Sequence, residues 1–228
     1  MRHWCVIPAG GSGTRFGGDT PKQFIEVAGR SILMHTLDML LSHPRIAGAV
    51  VALPEDAQTD AVADTLHGKP VLRCVGGASR AASVANALAA LPSEVATDSA
   101  VLVHDAARPN LAHRDLDALF TALEVHPDGA ILAAPVRDTL KRADGAGAIA
   151  ATEPREGLWR AFTPQAFPRA ALSDALASAA ARATEVTDEA MAMELVGVHA
   201  RLVEGSEDNF KITTRADLAR FEYLVSQR

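Results

Sequence analysis

Behind the first apolar run of this chain, Trp4–Pro8, five glycines and two cations fall close together. The segment reads Ala9-Gly10-Gly11-Ser12-Gly13-Thr14-Arg15-Phe16-Gly17-Gly18-Asp19-Thr20-Pro21-Lys22-Gln23. Glycines let a backbone turn tightly and aim several N–H groups at one anion. Arg15 can fork two phosphate oxygens, and Lys22 supplies a mobile point charge. Pro21 biases Thr20 to an extended conformation, which presents Lys22 at a fixed place. Two familiar phosphate loops are excluded by spelling. A P-loop lysine follows a glycine and precedes Ser or Thr, whereas Lys22 lies between Pro21 and Gln23. A dinucleotide fingerprint needs a glycine where Phe16 stands. Glycines alone would be compatible with a solvent loop. Glycines with two cations behind an N-terminal strand favour a triphosphate site.

Further segments carry chemistry-bearing residues. Gly76-Gly77-Ala78-Ser79-Arg80-Ala81-Ala82-Ser83-Val84 follows an apolar run and opens a helix. The free N–H groups of a helix start suit a ribose or a base edge, although a plain turn has the same spelling. Val103-His104-Asp105-Ala106-Ala107-Arg108-Pro109 puts an aspartate at the end of another apolar run, where it can hold Mg²⁺ or cap a turn. His104 reads as structural. None of the eight histidines has metal-site spacing, which argues against zinc chemistry. Asp138–Arg142 and Pro154–Trp159 are charged and turn-flanked, which by default means solvent-facing. From residue type alone, Thr187 is a helix cap and Lys211 a surface charge.

The elements that must position these groups alternate along the chain. Short apolar runs at Trp4–Pro8, Ala47–Leu53, Val71–Val75, Ala100–His104 and Gly129–Pro135 read as buried parallel strands. Between them, Ser31–Leu41, Glu55–Leu66, Arg80–Leu91 and Arg114–Val125 read as helices, with Ser79 capping the third and Pro92 closing it. This rhythm predicts a doubly wound, mostly parallel α/β sheet. It breaks after Pro135, where Thr139–Ala143 and Ala148–Thr152 flank Asp144-Gly145-Ala146-Gly147 as a hairpin. Leu158–Phe162 then resumes the pattern. Helices follow from Arg169 to about Ala183 and from Asp188 to about Leu195, then strands at Ala200–Val203 and Phe210–Thr213, and a last helix over Arg215–Val225. No repeat or linker interrupts residues 1–228, so the expectation is one domain with a hairpin arm at about 137–157.

The net charge of −6 argues against nucleic acid as a main partner. Cys5 and Cys74 lie in apolar runs and read as reduced, packed thiols. No apolar stretch reaches the length of a membrane span. The first strand starts almost at Met1, which leaves no room for a signal peptide, so a cytoplasmic protein is expected.

The glycine loop with its Pro21-Lys22-Gln23-Phe24 ending resembles the nucleotidyltransferases that activate sugars and sugar alcohols with an NTP. Within them it resembles the branch acting on 2-C-methyl-D-erythritol 4-phosphate. The Gly76–Val84 and Val103–Pro109 segments, Asp138-Thr139-Leu140-Lys141-Arg142, Arg155-Glu156-Gly157-Leu158-Trp159, Thr163-Pro164-Gln165, Thr187-Asp188-Glu189-Ala190 and Asp208–Thr213 match in the same order. The resemblance implies a Rossmann-like fold of the nucleotide-diphospho-sugar transferase type. It implies CTP as donor, the methylerythritol phosphate as acceptor, Mg²⁺ or another divalent cation, and a homodimer formed through the arm. By resemblance, Arg15, Lys22 and Lys211 are the catalytic cations. Ala9, Gly10, Gly11, Gly13, Gly77, Ser83, Asp105 and Ala106 hold the nucleotide, with Asp105 also the metal contact. Arg108, Thr139, Arg155 and Thr187 bind the acceptor, Thr139 and Arg155 reaching it across the dimer interface. Ala78 stands where some relatives carry an acidic residue, and it takes no side-chain role. A polyol phosphate such as ribitol 5-phosphate remains the alternative acceptor, and a CTP-sensing module without turnover the alternative class.

Overall fold

The computed structural model describes residues 2–11, 21–55, 57 and 62–227. Its centre is β1 (His3–Pro8), where Cys5, Val6 and Ile7 are wholly buried. Successive strand side chains point to opposite faces. Accordingly, Cys5 and Ile7 join one apolar cluster with Leu33, Leu37, Leu119 and Phe120, and Val6 joins another with Val84, Leu88, Leu172 and Leu176. Both faces of the sheet are therefore covered, which is why its strands read as continuous apolar runs.

The short β2 (Glu26–Val27) and β3 (Arg30–Ser31) pair only with each other, whereas β1 pairs in parallel with β4 (Ile46–Leu53) on one side and β7 (Ala100–Val103) on the other. β4 pairs in parallel with β6 (Lys69–Val75). Helices α1 (Ile32–Ser42), α2 (Arg80–Ala89) and α3 (His113–Val125) alternate with these strands. The hydroxyl of Ser31 accepts from the Met34 N–H and that of Ser79 from the Ala82 N–H, so both caps are made. Beyond β7 the sheet turns mixed. β11 (Trp159–Pro168) runs antiparallel between β7 and β8 (Ala130–Pro135), and β12 (Arg201–Glu204) closes that edge in parallel with β8. With the short β5 (Thr65–Leu66), the order is β12-β8-β11-β7-β1-β4-β6-β5. A mostly parallel α/β sheet is thus what folds.

Two expected elements differ. Glu55–Leu66 is not a helix over its described residues. Thr65–Leu66 is a strand that folds back antiparallel onto β6, through His67 and Gly68 at φ 52° and 68°. A left-handed pair of that kind makes a tight hairpin turn. Phe210–Thr213 is not a strand either. The Ile212 N–H donates to the Ala107 carbonyl at 2.8 Å, and the Ile212 carbonyl accepts from Lys22 Nζ at 3.0 Å. Among the described residues it joins no sheet ladder.

β11 also extends past Phe162. Its pairing with β8 is interrupted between Ala161 and Gln165, where Pro164 has no N–H to give. The Thr163 carbonyl in that gap accepts from Asn209 Nδ2 at 2.7 Å instead. Helices α4 (Arg169–Ala181), α5 (Glu189–Glu194) and α6 (Arg215–Ser226) complete the chain. The hairpin is present as β9 (Leu140–Ala143) and β10 (Ile149–Glu153), with Asp144 accepting from the Ala146 and Ala148 N–H groups to close its turn. It forms a separate two-stranded sheet, and its side chains are mostly exposed.

Candidate active site

A cleft of about 490 Å³ opens at the carboxyl ends of β1, β6 and β7. Its walls are Pro8–Gly11, Lys22 and Gln23, Gly77–Arg80 with Ser83, Asp105–Ala107, Lys211 and Thr213. Open α/β sheets bind ligands at this position because strand ends and helix starts converge there.

The glycine loop leaves β1 through a buried clamp. One nitrogen of the Gln23 amide donates to the Ala9 carbonyl at 2.7 Å and to the Gly11 carbonyl at 3.0 Å. On the opposite wall, Ser83 Oγ accepts from the Gly77 N–H at 3.0 Å and donates to the Ser79 carbonyl at 2.9 Å. The turn packs so closely that a Cβ at Gly77 would lie 2.4 Å from Ala82 Cβ and 2.9 Å from the Ala82 carbonyl carbon. Only glycine fits there.

The floor is built on Asp105, 7% exposed. Its Oδ1 accepts from Arg80 Nε at 3.1 Å, and its Oδ2 meets Lys211 Nζ at 3.0 Å and Arg108 Nε at 3.3 Å. Burial alone would raise this carboxyl, but the charges of Arg80, Lys211 and Arg108 outweigh it and hold the group well below the ordinary carboxylate range. Arg80 is shared. Its two terminal nitrogens fork onto Glu189 at 2.6 and 3.0 Å. Burial pushes Glu189 upward, and Arg80 opposes that push.

Behind Asp105 lies a chain of neutral hydrogen bonds. The Asp105 N–H donates to Thr163 Oγ1 at 3.0 Å, and that hydroxyl donates to His104 Nδ1 at 2.9 Å. His104 Nε2 then carries the proton toward the Arg108 carbonyl at 3.0 Å. This arrangement requires a neutral imidazole, and burial lowers His104 to about 4. Arg108 NH1 donates to the Asn209 carbonyl at 2.7 Å, and its guanidinium lies 5.3 Å from the centre of the Phe162 ring.

Of the residues singled out from sequence, the fold brings Ala9, Gly10, Gly11, Lys22, Gly77, Ser83, Asp105, Ala106 and Lys211 to this one cleft. Lys22 and Lys211 arrive from opposite ends of the chain, Lys22 bonding the carbonyl of Ile212, the residue after Lys211. Gly13 and Arg15 lie outside the described residues. Arg108 is buried beneath Asp105 and is not part of the cleft wall. Thr187 is exposed ahead of α5, its hydroxyl 3.6 Å from Met191 Sδ. Thr139 and Arg155 are exposed at the base of the arm, where Arg155 donates to the Arg137 carbonyl. Sequence reasoning gave no role to Gln23, Arg80, Thr163, Glu189 or Asn209. All five sat inside quoted segments, yet only the third dimension shows what they hold.

A family profile described as 2-C-methyl-D-erythritol 4-phosphate cytidylyltransferase matches residues 4–227. The chain is 59% identical over 225 residues to a protein of that name from Stenotrophomonas maltophilia strain K279a, covering 99% of this chain and 97% of the relative. Among solved structures, a 4-diphosphocytidyl-2C-methyl-D-erythritol synthase superposes with a TM-score of 0.84 at 34% identity, covering 98% of this chain and 99% of that one. The Francisella tularensis 2-C-methyl-D-erythritol 4-phosphate cytidylyltransferase gives 0.82 at 31% identity, with the same coverage of each chain.

Proposed function

The chain belongs to the 2-C-methyl-D-erythritol 4-phosphate cytidylyltransferase family, and from that premise we propose which of its residues carry the reaction. The enzyme transfers CMP from CTP to 2-C-methyl-D-erythritol 4-phosphate, giving 4-diphosphocytidyl-2-C-methyl-D-erythritol and pyrophosphate. A phosphate oxygen of the acceptor bonds to the α-phosphorus of CTP while the bond to the β-phosphate oxygen breaks. A phosphate monoester has its second pKa near about 6, so at neutral pH the nucleophile is already an anion and needs no general base. What the protein must supply is in-line positioning and relief of charge repulsion.

Arg15, Lys22 and Lys211 supply that charge, and the backbone of Ala9, Gly10, Gly11 and Gly13 cradles the triphosphate. Gly77, Ser83, Asp105 and Ala106 hold the cytidine. One observation carries this reading: Lys22, Lys211 and Asp105 meet at one wall of the cleft, joined through the adjacent residues Lys211 and Ile212. Lys211 exchanges Asp105 for the incoming phosphates. The acceptor lies toward Arg108 and Thr187, and its phosphate is met by Thr139 and Arg155 from the arm of a second copy of the chain. Residues 1–228 act as one domain with its arm at about 137–157.

Mg²⁺ is commonly bound by one or two carboxylates together with substrate phosphates. Among the described residues, Asp105 is the one carboxylate on the cleft wall, and no group of three metal-ligating side chains gathers anywhere. That donor set fits an ion arriving on the triphosphate, with Asp105 holding it directly or through water. When bound, the ion supplies positive charge to the phosphates. No described helix is long and apolar enough to cross a membrane. We place the enzyme in the cytoplasm, with small molecules rather than nucleic acid as its partners.

The test is pyrophosphate release from CTP, Mg²⁺ and 2-C-methyl-D-erythritol 4-phosphate, with ribitol 5-phosphate, no acceptor and the other NTPs in parallel. Release that needs both CTP and the methylerythritol acceptor supports the reading. Release only with another polyol phosphate overturns the assignment of the arm. Tight CTP binding without release from any pair would leave a sensor.

A further inference from the structure

Arg80 stands between two carboxylates and divides itself unevenly. Its fork closes on Glu189 at 2.6 and 3.0 Å, whereas only Nε reaches Asp105, at 3.1 Å. The two-pronged pairing is the stronger one. Glu189 is 1% exposed and is no part of the cleft wall, and the residues on either side of it are held by bonds that do not involve Arg80. Asp188, which caps α5, accepts from the Met191 N–H and from Gln165 Nε2, both at 2.9 Å. Gln165 Oε1 accepts in turn from the Ala190 N–H at 2.8 Å. Gln165 lies in register with Val103 of β7, the strand that leads into Asp105. The post that holds Arg80 is therefore built on the same strand pair that carries Asp105.

We propose that Glu189 is a positioning residue for the nucleotidyl transfer: by taking the fork of Arg80, it keeps that guanidinium from closing over Asp105. Asp105 Oδ2 then stays with Lys211 and Arg108, and is not taken by Arg80 when substrate binds. This rests on the reading of Asp105 and Lys211 as reaction-site groups. Without the Glu189 charge, the carboxylate left to Arg80 among the described residues is Asp105, and a forked pair there competes with Lys211 for Oδ2. Thr187 lies two residues before Glu189, so the same post also ties the acceptor segment to the start of α2.

The test is steady-state kinetics on the full-length enzyme carrying Glu189→Gln, which keeps the shape and removes the charge. The expected kcat is lower by about 10- to 100-fold, the range for partners that orient a reacting group through another residue. CTP affinity stays within about threefold, as for a group acting mainly on the transition state. Glu189→Asp restores the charge and recovers part of the loss. In an Arg80→Gln background, adding Glu189→Gln changes kcat by less than about twofold, because the two act as one unit. Unchanged kcat in Glu189→Gln, or an equal loss with and without Arg80, overturns the proposal. So does a loss that follows the thermal midpoint and is not relieved by Glu189→Asp. If Glu189→Gln does not fold, Glu189→Asp in the parent and Arg80→Gln backgrounds carries the same comparison. Asp105→Asn separates the two readings. Normal turnover in that variant removes the site assignment itself, whereas an inactive Asp105→Asn beside a normal Glu189→Gln removes only the role of Glu189.

Discussion

Around Asp105, charged groups are matched inside the chain, whereas on the β9–β10 arm they face solvent. Asp105 gathers Arg80, Arg108 and Lys211, and its main chain is pinned by Thr163. The arm offers Lys141 to Thr152 and Arg142 to Glu153 across an exposed hairpin, and leaves Ile149 69% exposed. One region is pre-organised by burial, so its geometry survives without ligand. The other contributes no residue to the buried apolar clusters of the described residues, and a lone two-stranded hairpin is marginal in water. The difference teaches where each half of the site obtains its order. On our proposal, the nucleotide half obtains it from the sheet and the acceptor half from a second subunit.

The sharpest way to break this contrast is Lys22→Ala. It should lower kcat by about 10²- to 10³-fold, the usual loss for a group that stabilises developing charge, while CTP affinity changes far less. Near-normal turnover would remove Lys22 from the reaction. Arg155→Ala should raise KM for the acceptor about tenfold or more and leave CTP binding alone, as for loss of a charged hydrogen bond to phosphate. Mixing the two impaired variants, assayed with acceptor far below the raised KM of Arg155→Ala, sharpens the point. A dimer that lends its arm to its partner's cleft rebuilds one intact site in each mixed pair, so activity should return to about a quarter of the parent. No recovery on mixing, with dimers shown to exchange, would put the arm over its own cleft.

Acid should reach the nucleotide half first. His104 is held near 4 by burial, against an ordinary value of 6.5, so the unfolded chain takes up the proton before the folded one. Stability should therefore fall as pH drops from about 6.5 to about 4, by roughly 3 kcal/mol for this group. Asp105 acts in a lower window, because its contribution is lost only as pH falls below 3.8 toward its depressed folded value. Urea midpoints between pH 4 and 7 test this, since His104→Gln should flatten the slope. At the small end, Arg142→Ala should cost no more than about 1 kcal/mol by the same urea titration, as expected for an exposed pair.

Much of this was legible in the sequence, because strands covered on both faces write themselves as apolar runs and the glycine loop is spelled out residue by residue. Asp105 could be found because it ends such a run. The fork between Arg80 and Glu189 could not, since its members lie 109 positions apart and no local period encodes the meeting. Phe210–Thr213 has the apolar alternation of a strand, but a strand also needs a free neighbouring edge, which local pattern does not report. Glu55–Leu66 reads as a helix because the turn that decides its end sits just beyond it, at His67 and Gly68. The antiparallel course of β11 follows from the hairpin inserted before it, which reverses the chain in a way that strand composition does not record.

The closeness of Gly77 to Ala82 has a consequence for how this sequence can drift. Shortening residue 82 to glycine would remove the 2.4 Å clash, yet a Cβ at 77 would still meet the residue-82 carbonyl carbon at 2.9 Å. No single compensating exchange at that neighbour opens the route, so position 77 is locked whatever order mutations arrive in. A library randomised across the turn and selected for activity should return glycine at 77 in every background, while position 78 beside it is left to vary.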